Sequence, residues 1–133
     1  MDEKRIALLK AMGYPDKAIN YILNRTNVGE MEDASVTAKE QGTCGDIMII
    51  HLKIEDDIIR QARYDYIGCA GLQAAASAIT EMIKDRPLGE AGRISAEDVL
   101  NFLGGLPQQK HECALLASNT LKRALSEYAP ASA

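Results

Sequence analysis

Residues 42–54 read GTCGDIMIIHLKI. They join a glycine-flanked turn, which carries Cys44 and Asp46, to a run in which every second residue from Met48 to Ile54 is apolar. An apolar residue at every second position is typical of a strand with one buried face, so residues 47–54 are predicted to form a strand. The turn in front of this strand places a thiol and a carboxylate two residues apart.

The segments on either side of this strand also have strand patterns. Residues 34–38 alternate between small apolar and polar side chains, and residues 58–67 are rich in β-branched and aromatic residues. The turns at 42–46 and 55–57 are short. The three strands are therefore expected to pair as an antiparallel meander.

Helical spacing of apolar residues predicts helices before and after these strands. Two short helices are expected over residues 2–12 and from Pro15 onward, and a longer one begins just after Cys69. Ser95 resembles the N-terminal cap of a further helix, and the last helix is predicted over 110–128. This order indicates an α+β fold, a three-stranded antiparallel sheet with helices packed mainly on one face.

The composition sets the domain organisation and excludes two classes of protein. We expect a single domain over 1–133, with an N-terminal extension (1–13), a core (14–127) and a fraying tail (128–133). The formal net charge of −4 excludes the positive field of a nucleic-acid binder. No apolar run approaches the roughly 20 residues of a membrane helix, and the N-terminus does not resemble a secretory signal. A cytoplasmic location is therefore expected.

The three cysteines form an odd number, which argues against a disulfide framework. Cys69 precedes a predicted helix and Cys113 lies in the first turn of another, where backbone amides and the helix dipole favour a thiolate. Cys44 lies in the glycine-flanked turn. Three thiolates suit zinc or an iron–sulfur cluster. The separations are 69 − 44 = 25 and 113 − 69 = 44 residues, so spacing alone leaves one shared site and three separate structural cysteines equally open.

A shared site would need a fourth ligand besides the three thiolates. Asp46, His111 and Glu112 are the candidates. The same cysteines also allow a thiol enzyme with one of them as nucleophile or sulfur acceptor. His111 and Cys113 are two residues apart and diverge on a helix, at about 100° per residue, which weakens a Cys–His dyad.

Four short motifs add to these patterns, and together they are similar to IscU/NifU-type iron–sulfur cluster assembly scaffolds over roughly residues 14–125. The motifs are Asn27-Val28-Gly29, Cys44-Gly45-Asp46, Gly68-Cys69 at a helix start, and Leu106-Pro107 through Cys113. The order and separations of the three cysteines also fit this family.

The resemblance implies an IscU/NifU-like fold, a site and a function. In this family, the cysteines matching Cys44, Cys69 and Cys113 hold a nascent cluster together with the aspartate matching Asp46, whose loss leaves the cluster too firmly bound. The implied protein is a scaffold and not an enzyme. It assembles a labile cluster, of the 2Fe–2S type, from iron and sulfide supplied by a cysteine desulfurase, and transfers it to apo-proteins. The resemblance also allows a homodimer, and zinc at the same ligands in isolated protein.

The chain departs from the family pattern in two places. Glu112 stands where the family usually has histidine, and His111 lies one residue earlier. Either Glu112 supplies an oxygen ligand, or the segment is unwound and His111 reaches in, or both are solvated residues at a helix start. The chaperone-recognition segment of the family, Leu-Pro-Pro-Val-Lys in its fullest form, matches Leu106–Lys110 only at its ends. Chaperone docking at this segment is therefore left open.

The alternative function is a zinc-binding structural or sulfur-acceptor module that uses the same three cysteines. Closed structural zinc sites more often use closely paired cysteines, which this sequence lacks, so the scaffold is the preferred prediction. His51, opposite the apolar row of its strand, is expected to be a surface or second-layer residue. Tyr64 and Tyr66 are expected to pack in the sheet.

Overall fold

The computed structural model describes residues 2–128. The helices are α1 (Asp2–Ala11), α2 (Asp16–Asn24), α3 (Ala70–Ile83), α4 (Leu88–Ala91), α5 (Ala96–Leu103) and α6 (His111–Glu127), and the strands are β1 (Val36–Gln41), β2 (Ile47–Glu55) and β3 (Ile58–Ile67). A short 3₁₀ turn, Gln108–Lys110, leads into α6. Of the predicted tail 128–133, residues 129–133 lie outside the described part of the chain.

The sheet is the predicted antiparallel meander, with strand order β1-β2-β3. Ile50 of β2 faces Ala38 on one side and Tyr64 on the other. The alternating run of β2 explains this arrangement, because Met48, Ile50 and Leu52 are fully buried on the face that the helices cover. The α+β prediction with helices on one face of the sheet is thus confirmed.

Helix α3 is more deeply buried than its sequence pattern predicted. Apolar spacing indicated one inner face, but every residue over 71–80 is buried, because α3 contacts α2, β3, α5 and α6. Its small residues let these neighbours approach closely. Its polar side chains are hydrogen-bonded to backbone, as when Gln73 Nε2 donates to Ile22 O at 3.0 Å and Ser77 Oγ donates to Thr26 O at 2.9 Å.

The other face of the sheet carries one buried polar cluster. His51 lies opposite the apolar row, as predicted, but it is only 7% exposed and is therefore not a surface residue. Its Nδ1 lies 3.0 Å from Thr37 Oγ1 and its Nε2 lies 2.9 Å from Asp65 Oδ2. Cross-strand neighbours thus satisfy both ring nitrogens. Tyr64 packs in the core, as expected.

A local sequence signal accounts for the start of α5. Ser95 Oγ accepts from the Asp98 amide and the Asp98 carboxylate accepts from the Ser95 amide, which forms the predicted cap of α5. The four-residue helix α4 was not predicted. In α1 only Leu9 is buried, whereas Leu8 and Met12 are exposed. No helix within residues 2–128 is long and apolar enough to cross a membrane.

Candidate metal centre

Strand pairing brings Asp46 next to Cys69. Ile47 and Ile67 are paired residues of β2 and β3, so the residues just outside this pair, Asp46 and Gly68, lie side by side. A Cβ added to Gly68 would lie 2.8 Å from both Cγ and Oδ2 of Asp46. Glycine at this position therefore leaves the space that the carboxylate occupies.

Two helix starts bring Cys69 and Cys113 together. Cys69 is the N-terminal cap of α3, and Cys113 lies in the first turn of α6, which packs against α3. Their sulfurs are 3.8 Å apart, and Asp46 Oδ2 lies 3.6 Å from the sulfur of Cys69. One ligand atom from each of these three residues lies within 4.8 Å of the others.

These distances suit one tetrahedral soft metal. Two sulfurs bound to such an ion at about 2.3 Å are separated by roughly 3.8 Å. A carboxylate oxygen bound at about 2.0 Å lies roughly 3.5 Å from a sulfur ligand of the same ion. These values match the distance between the Cys69 and Cys113 sulfurs and that between Asp46 Oδ2 and the Cys69 sulfur. The donor set and these two separations therefore fit zinc or one iron of an iron–sulfur cluster.

The structure does not place Cys44 within this group of three. Cys44 is exposed in the loop between β1 and β2. It nevertheless lines the same pocket, of about 130 Å³, as Asp46, Glu112 and Cys113. Cys44 is thus at the entrance to the candidate centre, and not at its far side.

The other two candidates for the fourth ligand already have hydrogen-bond partners. Glu112 is exposed, and its carboxylate accepts a hydrogen bond from Thr43 Oγ1 at 2.8 Å. His111 Nε2 lies 3.2 Å from Leu106 O, on the side of the preceding turn. Glu112 therefore ties the loop of Cys44 to α6, while His111 is directed toward the segment before α6.

The pKa values of the two adjacent thiols are shifted in opposite directions. The hydrogen bond from Cys113 lowers the pKa of the Cys69 thiol, and the amides of Leu72 and Gly71 and the charge of Lys110 lower it further, against the effect of burial. The same hydrogen bond raises the pKa of Cys113, and burial raises it further. Of the two thiols, Cys69 is therefore the one whose thiolate form is favoured in the metal-free protein.

The prediction from sequence missed Lys110 as a neighbour of the site. A Cβ at Gly71 would meet the Cβ, Cγ and Cδ atoms of Lys110 at 3.0–3.1 Å, so the lysine stem lies across the first turn of α3. Attraction to the Cys69 thiolate raises the pKa of Lys110. The position of Lys110 at a helix start near Cys113 could have indicated this role. The resemblance, however, linked Lys110 only to chaperone recognition.

Comparison with protein-family models identifies the fold family. The model described as the NifU-like N terminal domain matches residues 13–133. The chain belongs to this family. Among relatives of this NifU-like chain is the iron-sulfur cluster assembly scaffold protein IscU 1 of Archaeoglobus fulgidus, 40% identical over 116 residues, which cover 86% of this chain and 76% of the relative. The corresponding IscU protein of Haemophilus influenzae is 35% identical over 122 residues, covering 88% of this chain and 96% of the relative.

Solved structures show the same fold at lower identity. A protein described as an iron–sulfur cluster assembly scaffold for the SUF system of Fervidobacterium islandicum has a TM-score of 0.73 and 22% identity, covering 84% of this chain and 96% of that one. A NifU-like N-terminal protein of Brucella abortus has a TM-score of 0.71 and 14% identity, covering 89% and 95%. The predicted IscU/NifU resemblance and fold class are confirmed.

Proposed function

We propose that this NifU-like chain is an iron–sulfur cluster assembly scaffold. It assembles a labile cluster from iron and desulfurase-derived sulfide and transfers the cluster to apo-proteins. The observation that carries the proposal is the meeting of one carboxylate and two thiols within 4.8 Å, beside a pocket that Cys44 also lines. The relatives named as scaffold proteins support the same function. The cluster, of the 2Fe–2S type, is the cargo of this protein.

The four proposed ligands have different tasks. Cys69 and Cys113 stand on helix starts and are the firm ligands, because soft thiolates match iron. Asp46 supplies a hard oxygen, which is the weaker match and makes the cluster exchangeable. Cys44 is the third thiol ligand, which reaches the cluster from the loop. As the fourth ligand beside the three thiols, Glu112 is less suitable than Asp46, because its carboxylate accepts a hydrogen bond from the Thr43 hydroxyl.

Further parts of the proposal follow from this role. The scaffold unit is residues 14–127, with residues 1–13 as an extension, and the protein is not itself an enzyme. Its partners are a cysteine desulfurase and apo-protein acceptors, and a homodimer and a chaperone at Leu106–Lys110 belong to the same hypothesis. The setting is the cytoplasm, where thiols stay reduced. Zinc is expected in isolated protein, because the ligand separations suit it equally.

Anaerobic reconstitution with ferrous iron, cysteine and a desulfurase tests this function. We expect iron and acid-labile sulfide in equal amounts, and loss of both when Cys44, Cys69 or Cys113 is changed to serine. Transfer of the cluster to an apo-ferredoxin is also expected. Asp46→Ala should slow transfer, while Asp33→Ala, at an exposed aspartate paired with Lys53, should leave it unchanged. If iron never binds and zinc removal unfolds the chain, the structural-zinc module is correct instead.

A further inference from the structure

Tyr14 has a buried hydroxyl with no partner. Its side chain is in the core and the residue is only 3% exposed. Within residues 2–128, its Oη is the one buried side-chain nitrogen or oxygen that has no hydrogen-bond partner. An unpaired buried polar group is costly, so a retained one calls for an explanation such as a ligand.

The chain path brings Tyr14 next to the segment that leads into α6. Tyr14 follows α1 in a tight turn, in which its amide donates to Leu9 O at 3.0 Å. Gly13 has a φ of +99°, and a Cβ there would lie 3.6 Å from Cγ of Pro107. The turn is therefore docked on the segment that leads to Lys110, and the stem of Lys110 crosses Gly71 beside Cys69.

The charges that act on the hydroxyl are those of the metal-centre sulfurs. Burial first, and then the electrostatic effects of Cys69 and Cys113, raise the pKa of Tyr14 to about 12, while the Gly71 amide opposes them. A tyrosine hydroxyl is in any case protonated at neutral pH. The Tyr14 hydroxyl is thus a donor with an unused proton, and the nearby charges that act on it are those of sulfurs.

A second buried tyrosine, Tyr64, has a hydroxyl that is fully hydrogen-bonded within the protein. Tyr64 is fully buried, and its hydroxyl donates to Gln73 O at 3.1 Å and lies 2.7 Å from Ser77 Oγ. This hydroxyl is satisfied within the protein. Tyr14 has no such partners, although it is buried to almost the same extent. The difference indicates that Tyr14 gains its hydrogen-bond partner only when the centre is loaded.

We propose that Tyr14 is a positioning residue whose hydroxyl donates a hydrogen bond to an anionic sulfur of the loaded centre. The sulfur is either a sulfide of the cluster or the thiolate of Cys69. This inference rests on the proposed scaffold function. Hydrogen bonds to the sulfurs of a cluster raise its reduction potential, because they stabilise the added negative charge of the reduced form.

Tyr14→Phe tests the proposal, because it removes only the hydroxyl. Relative to wild type, we expect the reconstituted cluster to have a more negative reduction potential and shifted visible circular dichroism bands. The melting temperature of the metal-free variant should be unchanged or higher, since the lost group had no partner. Tyr64→Phe is the matched control: it should lower the melting temperature, because it breaks existing hydrogen bonds, and leave the potential unchanged.

Cobalt substitution separates the two sulfur sources and is independent of cluster assembly. If the acceptor is the Cys69 thiolate, Tyr14→Phe also shifts the sulfur-to-cobalt charge-transfer bands of the Co²⁺ form; if it is a sulfide, only the cluster form changes. Wild-type potential and spectra in both forms of Tyr14→Phe would overturn the proposal. If wild-type protein never takes up a cluster, the scaffold function fails, and unshifted cobalt bands then reject the thiolate arm as well.

Discussion

Gly68→Ala displaces Asp46 from the metal centre without changing its chemistry. The added Cβ would lie 2.8 Å from Cγ and Oδ2 of Asp46 and 3.0 Å from Cδ2 of Leu72. Carbon atoms in good contact are about 3.5 Å apart, so the carboxylate must move by roughly 0.7 Å. Gly68 does not have a left-handed backbone, and alanine there is not strained for that reason. The fold should therefore remain intact while the ligand moves.

The displacement is large compared with the tolerance of a metal site. Ligand distances in such sites hold to about 0.2 Å, so a shift of roughly 0.7 Å removes Asp46 from coordination. Loss of the groups that orient metal ligands typically weakens metal affinity about 10–100-fold, or about 1.4–2.8 kcal/mol. We expect Gly68→Ala to weaken zinc binding by this factor. It should also slow cluster transfer, as predicted for Asp46→Ala.

Competition with a chromophoric chelator measures the zinc affinity, and an apo-ferredoxin assay measures the transfer. Gly89→Ala is the matched control, because a Cβ at Gly89 meets nothing within 4 Å. Since both changes act through one carboxylate, Gly68→Ala combined with Asp46→Ala should behave like Asp46→Ala alone. Full additivity of the two effects, or wild-type zinc affinity in Gly68→Ala, would refute the reasoning.

Three further predictions concern the choice between Cys44 and Glu112 as ligand, the thiols and the fold. Cys44→Ser should reduce the intensity of the sulfur-to-metal bands of Co²⁺-loaded protein, while Glu112→Gln leaves them unchanged; the opposite pattern would make Glu112 the ligand. In metal-free protein at pH 7, iodoacetamide should modify Cys69 before Cys113, as read by peptide mass spectrometry. Because the pKa of Cys69 is lowered, its rate should fall much less between pH 8.5 and 6.5 than the roughly fifty-fold of an ordinary thiol; a fifty-fold loss would contradict this assignment. Ser95→Ala should lower the free energy of unfolding by about 1 kcal/mol in urea titrations, with zinc affinity unchanged, because it removes only the cap of α5; a loss of zinc affinity would show that α5 supports the site.

The sheet was predictable because its signals are local. The alternating run of residues 47–54 defines β2, and short turns determine the order of the strands. The proximity of Asp46 to Cys69 also follows once Ile47 pairs with Ile67. Cys113 could not be placed in this way, because its position depends on how α6 packs against α3. A pattern of residue types does not specify that packing.

Tertiary packing also explains the features that were missed. The apolar pattern of α3 indicated one buried face, and only the surrounding elements show that the whole helix is buried. Lys110 and Tyr14 lie far from Cys69 in sequence. The side chain of Lys110 packs against Gly71, and the turn before Tyr14 packs against Pro107. Neither contact leaves a periodic signal. Sequence therefore predicts ligand types better than the residues that surround them.

Two of the proposed ligands are at helix starts and two are in a loop. This difference determines how the centre could release a cluster. Cys69 and Cys113 are held by helices whose packing is part of the core. Cys44 and Asp46 belong to a loop whose contact with α6 includes the hydrogen bond from Thr43 to Glu112. A cluster bound to both halves would leave by way of the loop, because detaching the helix ligands would disrupt the core. Loop changes that keep the Cys44 thiol, such as Asp46→Ala, should therefore alter mainly the rate of transfer, whereas loss of a thiol at a helix start should abolish binding.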